Sequence, residues 1–310
     1  MGIQRMQPDV IGIGHLCYDH ISTIDGYPPE DTSKHIDEMF NQPGGAASQA
    51  IAAVARLGGA AGYLGNLGDD DVGKYLYADC LSEGIDVSQV RLIPGGVTST
   101  SYVFVNSRNA SRTLFTYHDK LPAYIFDSEA TCYIGGAKCI HLDGTMYENA
   151  MEAARIAREK QVLVSLDGCS PQKDNDKNLA LVALTDILIM NETYPCRLMD
   201  DSDRERAILR IAKLGPSVVI STSGDKGCLL ARNGAIERFP AYRIEPVDTT
   251  GAGDVFHGAF IFGMLKGYSI EDTIKFSSAV SAINCMSIGG RKGIPSFAQA
   301  RQFIAEHTFG

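Results

Sequence analysis

The strongest constraint on the fold is an alternation that runs the length of the chain. Short, continuously apolar runs occur at 9–14 (DVIGIG), 61–68 (AGYLGNLG), 139–144 (CIHLDG), 162–168 (VLVSLDG), 186–192 (DILIMNE) and 217–224 (SVVISTSG). A strand covered on both faces reads as an unbroken apolar run, as in a parallel sheet flanked by helices. Between the runs lie stretches with helical spacing, at about 45–58, 71–83, 147–160 and 203–214, and three more follow at about 251–267, 271–287 and 297–306. The pattern predicts an α/β fold built on a doubly wound, mostly parallel sheet. Ligands of such sheets bind at the carboxyl ends of the strands, where Asp143, Asp167, Asn191 and Ser223 fall.

Two segments interrupt the alternation. Residues 97–118 read VTSTSYVFVNSRNASRTLFTYH. Tyr102 and Phe104 alternate with Ser101, Val103 and Val105, NSRNAS interrupts, and the run resumes from Leu114 to Tyr117, which is the pattern of a β-hairpin. Residues 17–42 are also extended in character, with Pro28 and Pro29 breaking any helix. Together they predict a small sheet beside the main one, and its apolar face needs a cover. The cover is a ligand beneath a lid, a second copy of the chain, or both; a homodimer through the lid sheet is therefore expected. The competing reading is an edge extension of the main sheet. No repeat or linker divides the chain, so residues 1–310 read as one domain with lid segments at about 17–42 and 97–118.

Composition narrows the function. A chain of 310 residues, 45% hydrophobic and 21% charged, suffices for one large core. The net charge of −9 argues against a nucleic-acid partner, which demands clustered Lys and Arg. The eight cysteines form no C-x-x-C pair and sit mostly in apolar runs, the usage of reduced, buried thiols in a cytoplasmic protein. The His and Cys spacings show no zinc pattern. The segment MGIQRMQPDV has no apolar signal core, and no stretch approaches the roughly 20 apolar residues of a membrane span, so no membrane partner is expected.

The chemistry concentrates in VDTTGAGDVFHGAF, residues 247–260. The spacing of Val255, Phe256, Ala259, Phe260, Phe262 and Leu265 starts a helix near Gly251, which Thr249 or Thr250 could cap. The first N–H groups of a helix lack intrahelical partners and attract anions. The small residues Gly251, Ala252 and Gly253 let a phosphate approach closely. Asp254 lies in the first turn, where the helix terminus favours its ionised form. A carboxylate there can take the proton of a hydroxyl that attacks the phosphate. On this segment alone, a glycine-rich turn with a helix-stabilising acid explains the residues equally well.

Other patterns carry less. GIGHLC (12–17) offers G-x-G after a strand, but Cys17 stands where a dinucleotide fingerprint has its third glycine. There is no G-x-x-x-x-G-K-[ST] and no G-x-S-x-G elbow. The aspartates of GDDDVG (68–73) read as helix-capping charges. His257 reads as a core or supporting residue rather than a nucleotide contact. His118 and Arg112, in the hairpin, read as contacts to substrate or to a partner subunit, or as part of a solvated face.

Four stretches, in this order and spacing, resemble the ribokinase family, also called the PfkB carbohydrate kinases. QPGGAASQAIAAVARLGGAAGYLGNLGDDDVG (42–73) is similar to the family's first signature and DTTGAGDVF (248–256) to its second. STSGDKG (221–227) resembles its T-x-G-x-x-G nucleotide loop, and GGRKGIPS (289–296) the loop beside the adenine. The resemblance spans nearly the whole chain and implies a ribokinase-like three-layer fold with a small β-sheet lid. It implies ATP-dependent phosphorylation of a hydroxyl of a small sugar or sugar-like substrate, with Mg2+ and, as in some members, a monovalent cation such as K+. By the same resemblance Asp254 is the catalytic base, and Gly251, Ala252 and Gly253 form the anion hole. Asp19, Gly44, Gly45 and Gln49 meet the substrate together with Asp254. Asn191, Thr222, Gly224, Gly227, Thr249, Gly251 and Gly253 hold the nucleotide. Glu192 serves Mg2+, and Asp248 and Thr250 serve the monovalent cation.

The sequence also departs from the family pattern. Gln49 stands where the family often has Asn, and Ala46 where several members carry a polar or basic residue. The N-x-x-E motif keeps Asn191 but has Tyr194 three positions on, with Glu192 adjacent instead. SLDGCSP (165–171) lacks the Asp-x-Asn-x-Arg arrangement of some sugar-acid kinases, so an acidic substrate has no clamp there. Two alternatives stand beside the sugar kinase. One is a nucleoside kinase of the same fold. The other is a non-catalytic sensor that binds sugar or nucleotide without releasing ADP.

Overall fold

The computed structural model describes residues 7–108, 112–117, 121–168 and 173–310. His118 and Cys169 lie outside the described residues. In chain order the elements are β1 (Val10–Ile13), β2 (Cys17–Ile24), β3 (Glu38–Gly44), α1 (Ala46–Arg56), β4 (Ala61–Gly68), α2 (Asp71–Ser82), β5 (Asp86–Ile93), β6 (Thr100–Asn106) and β7 (Arg112–Tyr117). There follow α3 (Ser128–Gly135), β8 (Cys139–Leu142), α4 (Tyr147–Glu159), β9 (Leu163–Gly168), α5 (Asn175–Val182), β10 (Ile187–Met190), α6 (Tyr194–Met199), α7 (Arg204–Ile211) and β11 (Val218–Thr222). The chain ends with β12 (Cys228–Arg232), β13 (Ala235–Phe239), α8 (Ala252–Leu265), α9 (Ile270–Cys285) and α10 (Phe297–Glu306).

Among the described residues nine strands form the main sheet, in the order β13-β12-β11-β10-β9-β8-β1-β4-β5. From β11 to β5 every pairing is parallel; β12 and β13 add an antiparallel edge. The unbroken apolar runs are the buried strands, and β1, β4, β8 and β10 are covered at every position. One face carries Ile11, Ile13, Leu142 and Leu166 against α3 to α7. The other carries Val10, Tyr63 and Leu67 against α1, α2 and α8 to α10. α8 is buried continuously from Val255 to Gly263. Its all-round apolar sequence suits a helix enclosed on several sides: it packs on α1 and α9 and sends Phe256 and Phe260 onto β10 to β12.

The interrupting segments form a separate four-stranded sheet, β3-β2-β6-β7. β6 and β7 are the hairpin read from the alternation of 97–118, and β2 and β3 come from 17–42. β2 and β6 run parallel, joining the two segments. The edge-extension reading is thereby replaced by a distinct sheet, because β3 pairs with β2 and β2 with β6, and neither joins β5.

Candidate active site

The crevice lies where β1, β8, β9, β10 and β11 end. α8 begins there in an unusual way. Gly251 occupies the left-handed region, with φ 70, and a β-carbon on it would sit 2.8 Å from the Gly290 carbonyl oxygen. Only glycine fits both demands. No side chain caps the helix, contrary to the capping role read for Thr249 or Thr250. The Thr250 backbone N–H donates to Asp248 Oδ1 (2.8 Å), and its hydroxyl accepts from Arg112 Nη1 (2.8 Å). Asp248 Oδ2 accepts from Gly289 N (2.9 Å), latching the turn to the 289–291 loop. The first turn thus keeps backbone donors open. A β-carbon built on Gly253 meets nothing within 4 Å, so the space above it is clear for an anion.

Asp254 is half-buried at this mouth. Burial, and after it the charge of Asp167, push its carboxyl up to about 7; His257 opposes them, and Asp143 and Asp19 add to the rise. A carboxylate poised near neutral pH is what a general base requires.

One side of the mouth is assembled from the small sheet and from the ends of β1 and β8. Asp19 on β2 lies against Gly44 on β3, where a β-carbon would overlap its carboxylate. The Cys17 thiol donates to Asp19 Oδ1 (3.3 Å), and burial raises the pKa of the Asp19 carboxyl. Gly45 precedes α1 as its cap residue. Asp143, just after β8, accepts from His15 N (2.6 Å), Ala47 N (3.2 Å) and Thr145 Oγ1 (2.6 Å), tying the end of β1 to the start of α1. Gln49 is placed differently from the others. It is buried, its Nε2 reaching the Pro43 carbonyl (3.4 Å) and its Oε1 accepting from Arg291 Nε (3.1 Å). Arg112, on β7, ties the small sheet to the turn that opens α8 through Thr250.

On the other side of Asp254 opens a cavity of about 500 Å3. Thr222, Gly224 and Gly227 line it from the loop after β11, and Thr249, Ala252 and Gly253 from the α8 turn; Phe256, Ile244 and Ala282 give it apolar walls. A mostly apolar cleft with a few convergent polar groups suits a nucleotide. Asn191 and Gly251 are not on this lining. Asn191 Oδ1 accepts from Thr193 N (3.1 Å), Thr193 Oγ1 (3.0 Å) and Tyr194 N (3.0 Å), which fixes the start of α6. Tyr194, at the position where the family motif has Glu, is buried in the core. Glu192 is exposed and 3.9 Å from Arg204.

Among the described residues no group of three or more His, Cys, Asp or Glu side chains could hold a metal ion. Mg2+ that arrives with a nucleotide needs few protein ligands, since phosphates and waters complete its shell. Beside the Asp248 turn, Asn284 sends Nδ2 towards the Thr250 carbonyl (3.4 Å), while its Oδ1 is buried with no hydrogen-bond partner. That orphaned acceptor fits a cation.

The pfkB family carbohydrate kinase model matches residues 7–296. The chain belongs to that family. This carbohydrate kinase is similar to ketohexokinase of Mus musculus, 27% identical over 295 residues that cover 90% of this chain and 96% of that protein. It is similar to ribokinase of Haemophilus influenzae, 26% identical over 98% of this chain and the whole of that protein. The structure of Arabidopsis thaliana ribokinase complexed with ribose and ATP shares its fold, with a TM-score of 0.85 at 23% identity over 96% of this chain and 99% of that one.

Two arginines shape the candidate site, Arg204 outside every motif and Arg291 within GGRKGIPS. Arg204 donates to Ser221 Oγ (2.7 Å), Ser223 Oγ (2.6 Å) and the Ser221 carbonyl (2.9 Å), stapling the nucleotide loop. Arg291, almost fully buried, binds Asp79 Oδ2 (2.5 Å), Ser48 Oγ (3.1 Å) and Gln49, holding the 289–291 loop to α1 and α2. Asp143 had a different signal, its place at a strand's carboxyl end.

Proposed function

We propose that this kinase moves the terminal phosphoryl group of ATP to a hydroxyl of a small, neutral sugar or sugar-like alcohol, with Asp254 as the general base. The observation that carries the reading is the position of Asp254. It stands at an uncapped helix start, between the 500 Å3 cavity and the lid-side carboxylates. Asp254 takes the hydroxyl proton, the freed oxygen attacks phosphorus, and the bond to the departing ADP oxygen breaks. Backbone N–H groups of the 251–253 turn stabilise the charge on the transferred group, as preorganised donors do. Mg2+ bound with the nucleotide would neutralise phosphate charge, with Glu192 the acid available beside Asn191. A monovalent cation such as K+ would sit against Asn284 Oδ1, the Thr250 carbonyl and Asp248. The substrate is held by Asp19 with the backbone of Gly44 and Gly45.

Neutral substrates are favoured because Asp19, Asp143 and Asp254 make the substrate side acidic. The free cysteines suit a reducing compartment, the cytoplasm. ADP release with a panel of pentoses, hexoses, sugar acids and nucleosides tests the assignment. A neutral sugar should give the highest kcat/KM, with sugar acids inert. Preference for a nucleoside would select the nucleoside kinase of the same fold, and absence of ADP release with every acceptor would overturn the reading.

A further inference from the structure

His257 lies buried one turn behind Asp254. Its Nδ1 is 2.7 Å from the Gly253 carbonyl oxygen and its Nε2 is 3.2 Å from the Ile189 carbonyl oxygen. Carbonyl oxygens only accept hydrogen bonds, and neutral imidazole has one N–H. In either neutral tautomer one ring nitrogen would turn a lone pair onto a carbonyl oxygen, away from water. Only a ring with both protons satisfies both contacts. A counter-charge is at hand, since Asp167 Oδ1 lies 3.6 Å from Nε2. We propose that His257 is held as an imidazolium and acts as a positioning residue for phosphoryl transfer. One N–H fixes the Gly253 carbonyl and with it the anion-hole turn, while the charge keeps Asp254 ionised beside three other carboxylates. The second role rests on Asp254 being the base.

The surroundings agree with this assignment. β9 presents Asp167, and β8 presents His141, whose ring centroid is 5.5 Å away. Desolvation, then the charge of His257, holds the fully buried His141 well below the usual imidazole range. His141 is thus the neutral member of the pair, its Nδ1 3.1 Å from Ser165 Oγ. β10 offers the Ile189 carbonyl. On its own helix His257 faces Asp254, and Asp143 and Asp19 lie beyond, close enough to raise the Asp254 pKa. α1 carries one ionisable residue, Arg56, engaged with Glu83 and the Arg291 carbonyl. α9 brings Cys285 to this end, its thiol pushed up to about 11 by burial. Its acids Glu271 and Asp272 sit in its first turn, at the far end of the α8–α9 pair.

Nitrogen-edited NMR of the wild-type histidine rings tests the charge without turnover. Both His257 nitrogens should carry protons at pH 7.5, above the value of roughly 6.5 at which an unperturbed imidazole loses its proton. His141 should stay neutral. A His257 ring with one bare nitrogen at pH 7.5 overturns the proposal. His257→Gln, which keeps a donor without charge, tests the role. The acid limb of kcat/KM should move up by about one pH unit, about a tenfold loss at pH 6.5 that is recovered at pH 9. An unmoved limb overturns the positioning role. A limb that is also indifferent to Asp254→Asn shows instead that Asp254 is not the base.

Discussion

Asp254 is a residue kept at a cost to the fold. Burial and neighbouring carboxylates raise its carboxyl to about 7, above the value of about 3.9 expected in an unfolded chain. The protonated acid therefore favours the folded state and the ionised one opposes it. The stability it lends at low pH is lost as pH rises through about 7. Asp254→Asn should raise the Tm at pH 8.5, and the difference should shrink to well under half by pH 5, closing only below the unfolded value of about 3.9. Equal Tm differences at the two pH values in scanning calorimetry would contradict this. Asp254 was legible in the sequence because its neighbours in space are its neighbours in chain. A turn of three small residues, an acid and an apolar helix mark the candidate base within VDTTGAGDVF, although on that segment alone a glycine-rich turn with a helix-stabilising acid reads equally well. Gln49 was not legible in this way, since its orientation is decided by Arg291, 242 positions away. Tyr194 likewise gives its place in an incomplete motif to core packing.

At the scale of elements, the long apolar runs became strands because a strand buried on both faces has no polar face to show. Shorter elements were less visible. α3, α5 and α6 have eight, eight and six residues and lack the sharp charged-against-apolar contrast that made the equally short α7 legible. β12 and β13 are joined by Asn233-Gly234, a strong hairpin signal that was nonetheless not read as one. The lid was read correctly as a sheet from its alternation. Its edge shows why a second copy is proposed. β7 is exposed at every position, and Leu114 and Phe115, which point to opposite faces, are 56% and 59% exposed. Tyr102 and Met39 extend the apolar surface on the other strands. An exposed, apolar edge invites pairing. Sedimentation velocity should show a dimer that Leu114→Ser with Phe115→Ser converts to monomer. A wild-type monomer at tens of micromolar, about the range used in such runs, would contradict the proposed interface.

The whole molecule brings two half-sites to one carboxylate. In the proposed reading the main sheet supplies the nucleotide cavity through the loop after β11 and the start of α8, and the small sheet supplies Asp19 and Arg112. This architecture was legible from four motifs in fixed order, because spacing over nearly the whole chain is harder to meet by chance than any motif alone. The clamping roles of Arg204 and of Arg291, the latter within GGRKGIPS, were not, since an arginine's partners are known only in space. The central claim is that Asp254 removes the acceptor proton. It is tested most directly by the turnover of Asp254→Asn with ATP and the preferred sugar, ATP affinity being measured alongside by calorimetry. The account predicts that ADP release falls by about 10²–10⁴-fold while ATP binds as in the wild type. A variant that turns over at the wild-type rate would contradict it.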